Sequence, residues 1–142
     1  MNINNDDDDL QSANCIVTGI DLCRVDRIRK IVERHGDIFL ERVYTSAERD
    51  YCLNKISWAR HFAARFAAKE AVAKMLGSGV TMAGFLNVEV VNKTSGKPKL
   101  VLRGRAKEIA ESLGVSSVDI SITHEKEYAV AIAVGIIQRL GC

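Results

Sequence analysis

No stretch of this sequence approaches the roughly 18 consecutive apolar residues that a membrane span requires. With 47% hydrophobic residues, the chain is also too apolar to stay disordered, so a soluble globular protein is expected. Charge of one sign is scarce. The 20 Lys and Arg against 18 Asp and Glu leave a net +2, too little for the broad field that grips a nucleic-acid backbone. The four cysteines, Cys15, Cys23, Cys52 and Cys142, form no CxxC pair and find no histidine at zinc-finger spacing. They read as small buried hydrophobes in a reducing, cytosolic-type compartment. The phosphate loop with a lysine after its last glycine is absent, and so is the GxSxG nucleophile elbow.

What is present fits one domain, because 142 residues lie within the usual size of a single core-forming unit. Residues 1–14 carry Asp6-Asp7-Asp8-Asp9 and no apolar core, matching neither a secretory signal nor an arginine-rich transit peptide. They read as a flexible acidic leader before a single domain over 15–142, and a cytoplasmic location is expected. Without the leader the body is more basic than its total charge, which leaves room for an acidic partner.

Cys15 to Cys23 reads as a strand in which Ile16, Thr18, Ile20 and Leu22 share a face, predicted to be the first core strand. From Arg24 to His35 the period becomes helical. Val25, Ile28, Ile31 and Val32 fall on one side, Arg27, Lys30 and Arg34 on the other, and Gly36 ends the run. A short helix is predicted over Asp37 to Tyr44, and Thr45 with Glu48 has the form of a capping box opening another, to about Asn54. Ser57 then caps a long helix to Leu76, in which alanine covers almost every direction, so the helix should sit centrally; Gly77-Ser78-Gly79 stops it. Strands over Leu86 to Asn92 and Lys99 to Leu102, a helix from Ala106 to Leu113, and a hairpin of Val118 to Thr123 with Tyr128 to Ile136 complete the chain. Helices concentrated before antiparallel hairpins indicate an α+β domain, not a doubly wound parallel sheet.

Several charges stand where a core would not want them. Asp21 lies inside the strongest strand signal, where an ionised carboxylate needs a cation or hydrogen-bond donors. Two readings stay open: a cap on the helix that starts near Arg24, or a ligand. Glu70 and Lys74 continue the line of Phe62 and Phe66 on the central helix, while Arg65 and Lys69 occupy another shoulder. These are either ordinary pairs facing water, Glu70 with Lys74 and Arg65 with solvent, or a site in which Glu70 faces Asp21. In the second case two carboxylates make a hard, all-oxygen Mg²⁺ site, with Lys74 adding positive charge to bound phosphate. His124, just beyond a strand, is either a solvated turn side chain or a donor beside phosphate.

Taken together, Gly19-Ile20-Asp21-Leu22, Arg65-Phe66-Ala67-Ala68-Lys69-Glu70-Ala71, Lys74 with Gly77-Ser78-Gly79, Gly96-Lys97-Pro98 and Ser121-Ile122-Thr123-His124 resemble the holo-[acyl-carrier-protein] synthases, the short-chain 4′-phosphopantetheinyl transferases. The resemblance runs from about Ile16 to Ile136. It implies the transferase-like α+β fold, an antiparallel sheet packed on a long central helix, assembled as a homotrimer with sites at subunit boundaries. It also implies a role in fatty acid biosynthesis: transfer of the phosphopantetheine arm of coenzyme A to a serine of an apo acyl carrier protein, releasing adenosine 3′,5′-bisphosphate. Carried over residue by residue, Asp21 and Glu70 match the Mg²⁺ ligands and Lys74 the lysine on the coenzyme pyrophosphate. Arg65 and His124 match positions lining the coenzyme pocket, and Gly77, Ser78 and Gly79 the segment beside the nucleotide. Arg24 and Arg27 match the region that docks the carrier's acidic helix. Ser78 stands where threonine is commoner, Met75 replaces a usual small residue, and the leader exceeds the typical start.

The rival reading is a non-catalytic module gripping an acidic helical protein, with Asp21 as a cap and Glu70 and Lys74 as a surface pair. A Mg²⁺-dependent nucleotide hydrolase using water as acceptor is a third.

Overall fold

The structure is a computed structural model describing residues 14–79 and 83–138. The acidic leader, apart from Asn14, and Cys142 lie outside the described residues. Strand β1 (Cys15–Arg24) leads directly into helix α1 (Val25–His35), followed by two short helices, α2 (Asp37–Val43) and α3 (Ser46–Leu53), and the long helix α4 (Trp58–Leu76). A 3-10 turn at Phe85–Asn87 introduces β2 (Val88–Asn92), then come β3 (Pro98–Leu102), α5 (Gly104–Ser112), β4 (Val115–His124) and β5 (Tyr128–Ile137). One antiparallel sheet has the order β1-β5-β4, and β2 with β3 forms a separate two-stranded sheet. The predicted α+β architecture on a central helix is therefore the observed one. No helix among the described residues is long and apolar enough to cross a membrane.

Local chemistry accounts for the boundaries. Gly36 and Gly77 take φ of 55° and 70° at the ends of α1 and α4, a region that residues with a Cβ avoid. The Thr45 side chain accepts from the Glu48 backbone N–H and the Glu48 carboxylate accepts from the Thr45 N–H, so the predicted capping box is present. Ser57 occupies the position before α4 but its side chain makes no capping hydrogen bond.

Helix α4 crosses one face of the larger sheet. Its alanines at 63, 64, 67, 68, 71 and 73 are buried, and the sheet answers with Gly19, Ala129, Ala131, Ala133 and Gly135. The approach is close enough that a Cβ on Gly19 would lie 1.9 Å from the Ala71 carbonyl oxygen and 2.6 Å from the Met75 nitrogen. One strand expectation is corrected here. Ile16, Ile20 and Leu22 do share a face, but it points away from the core and they are 70%, 60% and 60% exposed. Alternation shows which side chains travel together, not which set turns inward; the small residues decide that, because only they admit the helix.

Candidate active site

Asp21 lies on the face of β1 turned toward α4, between Gly19 and Cys23, with its side chain largely covered. The Lys74 ammonium, from the last turn of α4, donates to Asp21 Oδ1 at 3.0 Å and to the Ile20 carbonyl at 3.0 Å. Asp21 does not cap α1: the capping position is Arg24, with no side-chain bond. Glu70 sits one turn before Lys74 on α4, partly buried. Burial raises its pKa, the Asp21 charge adds to the rise, and Lys74 and Arg27 oppose it. Lys74 thus pairs across to the strand instead of along the helix with Glu70, which removes both premises of the non-catalytic reading. The two carboxylates come from distant parts of the chain and feel each other's charge.

Cys23, which the sequence reading left as a buried hydrophobe, borders this cluster. Burial pushes its thiol up to about 11, Arg27 pulls it down, and Asp21 and Glu70 push it further up. The thiol is held protonated at neutral pH beside Asp21 and Glu70. Arg24 and Arg27 are exposed, their guanidiniums over the rings of Tyr128 and Phe66 at 6.0 and 5.7 Å. Arg27 thereby stands between the solvent face of α1 and the carboxylates.

Arg65 and His124 are brought together, but elsewhere. At 1.5 Å rise per residue, Arg65 lies about 13 Å before Lys74 along α4. A cavity of about 210 Å³ opens there, lined among others by Tyr51, His61, Arg65, Asn92 and His124. Of the two readings of Arg65, the solvent-facing one fails and the pocket-lining one stands as geometry. The side chain is buried, donates from Nη2 to Asn92 Oδ1 at 2.7 Å, and stacks on the Tyr51 ring at 4.2 Å, while its Nε has no partner. His124 ends β4 with its ring 5.0 Å from that of His61. Burial, then Arg60, lowers its pKa.

Lys69, adjacent to Glu70, does something different. It is fully buried and donates to Glu48 Oε1 at 2.8 Å, the Phe85 carbonyl at 2.8 Å and the Val88 carbonyl at 2.6 Å. Burial depresses its pKa and Glu48 opposes the fall. It ties α3, α4 and the start of β2 together, a role the sequence hid because its partners are remote in the chain. Beyond α4, Gly77 and Gly79 have positive φ, and among the described residues nothing lies within 4 Å of where a Cβ would stand on either.

Among the described residues no three His, Cys, Asp or Glu side chains group as a metal cage. Asp21 and Glu70, whose charges interact, are the two carboxylates that could hold a hard divalent cation, which keeps several waters and takes substrate phosphates. Burial first and the Asp21 charge second disfavour the ionised form of Glu70, and a nearby cation would oppose both.

A profile of the 4′-phosphopantetheinyl transferase superfamily matches residues 18–133, and the chain belongs to that superfamily. It is 46% identical over 114 residues to the holo-[acyl-carrier-protein] synthase of Gloeobacter violaceus, an alignment covering 80% of this chain and 86% of that protein. To the holo-[acyl-carrier-protein] synthase of Caldanaerobacter subterraneus subsp. tengcongensis it is 38% identical over 121 residues, 85% of this chain and 94% of the other. Its fold superposes on a Bacillus anthracis holo-(acyl-carrier-protein) synthase solved in complex with CoA (3′,5′-ADP), with a TM-score of 0.72 and 34% identity over 88% of this chain and 99% of that one.

Proposed function

We propose that this chain transfers the 4′-phosphopantetheine arm of coenzyme A to a serine of an apo acyl carrier protein and releases adenosine 3′,5′-bisphosphate. The observation that carries the reading is the meeting of Asp21, Glu70 and Lys74 where β1 touches α4, in a chain of this superfamily. Asp21 and Glu70 are the proposed holders of Mg²⁺. Bound there, such an ion would neutralise charge at the diphosphate of coenzyme A. Lys74 has three N–H donors, of which two are used, on Asp21 and Ile20, so one remains for a phosphate oxygen. The uncrowded Gly77 and Gly79 beyond α4 leave room for a nucleotide, and Arg27, with Arg24, offers positive charge to the acidic carrier. The protein's share of the acceleration is alignment and electrostatics.

Self-association into a homotrimer belongs to the same proposal. Ile16, Ile20, Leu22, Ile132 and Ile136 form a continuous exposed apolar face on the β1-β5 pair, with Ile20 opposite Ile132 and Ile16 opposite Ile136. A face of that kind on a soluble chain calls for a covering surface, and a second and third copy supply an identical one. The free cysteines Cys15, Cys23 and Cys52 suit the cytoplasm.

The test is incubation with coenzyme A, Mg²⁺ and an apo carrier, followed by the carrier's intact mass: only a transferase adds the arm. Asp21→Ala and Glu70→Ala should each lower transfer by roughly a hundredfold or more with the circular dichroism unchanged. Chelation with EDTA should stop the reaction and added Mg²⁺ should restore it. Near-normal turnover by both variants overturns the ligand assignment. Arg27→Ala should raise the KM for the carrier and leave coenzyme A affinity in place.

A further inference from the structure

The cavity around Arg65 contains one residue that neither the motifs nor the proposed chemistry uses. His61 lies on α4 one turn before Arg65, and its ring packs edge-on against Tyr51 from α3 at 5.7 Å and against His124 from β4 at 5.0 Å. The two imidazoles, the buried Arg65 with its unpartnered Nε, and the Asn92 amide line one opening of about 210 Å³. Two histidines held in contact beside a buried guanidinium are a poor site for a metal cation and a good one for an anion. Each imidazole offers an N–H, and the anion relieves the crowding of positive charge.

We propose that His61 is a phosphate-binding residue of the coenzyme pocket, receiving with His124 and Arg65 a phosphate group of coenzyme A and taking up a proton from solvent as it does so. The proposal rests on the coenzyme A reading above and adds His61 to it.

The charge balance follows from what surrounds the ring. Tyr51 and Lys55 face it from α3 and the turn that follows, Arg60 and Arg65 from α4, and His124 from β4. Burial and then His124, Arg65, Lys55 and Arg60 all disfavour its protonated form, bringing its pKa down to about 4 in the free protein. At neutral pH the pair enters the encounter uncharged. A phosphate at hydrogen-bond distance reverses the balance, because a dianion offsets the guanidinium and makes the imidazolium the favoured state. Binding then draws in a proton. By linkage, affinity gains with falling pH between the pKa of the bound form and that of the free form.

Calorimetric titration of the whole protein with coenzyme A, at pH 6.0 and 8.5 in buffers of different ionisation enthalpy, counts the protons. His61→Phe keeps a ring against Tyr51 and His124, and His61→Gln is a smaller neutral alternative. Using variants against the unaltered chain cancels titration of the phosphate itself. The expected result is proton uptake by the unaltered protein at pH 6.0 that either variant reduces. Affinity should be weakened about tenfold at pH 6.0 and roughly twofold or less at pH 8.5, the scale of one charge-assisted hydrogen bond. Dephospho-coenzyme A, which lacks the ribose 3′-phosphate, separates the two sources of phosphate. A variant effect lost with this ligand assigns His61 to the 3′-phosphate, and one retained assigns it to the diphosphate. Equal proton uptake and equal affinity in variant and unaltered protein, with transfer to the carrier intact, overturn the role of His61 alone. Absence of coenzyme A binding in the unaltered protein overturns the coenzyme reading with it.

Discussion

On its helix side the larger sheet carries Gly19, Ala129, Ala131, Ala133 and Gly135; on its outer side it carries Ile16, Ile20, Leu22, Ile132 and Ile136. A sheet that packs one face in its own domain usually puts its bulk there, and this one reverses the order. The small residues let α4 lie against the strands closely enough for a carboxylate on β1 to reach an ammonium on α4. The branched residues are left exposed. One face brings Asp21 to Lys74, and the other is the surface on which the proposed self-association rests.

The largest effect is expected from adding one methyl group to the inner side. Gly19→Ala would drive a Cβ into the Ala71 carbonyl at 1.9 Å, against backbone that cannot yield. It should cost about 5 kcal/mol or more, read as a collapse of the urea midpoint or loss of soluble protein. Next, Lys69→Met leaves Glu48 charged and unpaired in the core. It should cost about 3–5 kcal/mol by the same measurement, with Glu48→Gln in the same chain recovering part of the loss. On the outer side, Ile20→Lys combined with Ile132→Lys should change protomer stability by only about 0.5 kcal/mol. Sedimentation should nevertheless shift from trimer to monomer and transfer should fall. Unchanged sedimentation would mean that the apolar face is not the subunit contact.

The smallest effect concerns acid. His61 titrates near 6.5 in the unfolded chain and about 4 in the folded one, so the unfolded state binds more protons between those values. The stability that its neutral form contributes is complete above pH 6.5 and drains away as pH falls toward 4. His61→Phe should therefore flatten the decline of the urea midpoint between pH 6.5 and 4.5; an equally steep decline would contradict it.

How much of this was legible beforehand depended on the distance over which each residue acts. The Thr45–Glu48 capping box and the glycine stops are local chemistry, and the sequence places them correctly. The central helix was legible because alanine on every side leaves no solvent face. Asp21 was conspicuous as a charge in a strand, but only the register between β1 and α4 separates a ligand from a cap. The sequence left Arg65 open between solvent and a pocket and gave Lys69 no partner, because Asn92, Glu48 and the Val88 carbonyl, to which they donate, lie about 20 to 27 residues away in the chain. His61 carried no motif. Its contact with His124 joins α4 to the end of β4, which periodicity does not encode.

One consequence of the β1 register remains. Asp21 stands opposite Ala131 and Ile20 opposite Ile132, so odd positions look toward the helix and even positions look away. A slip by a single residue would exchange the two sets, presenting the carboxylate among isoleucines and forcing an isoleucine onto α4. The proposed metal site and the proposed subunit contact therefore share one parity: an error that took Asp21 away from Lys74 would also take Ile20 off the outer face.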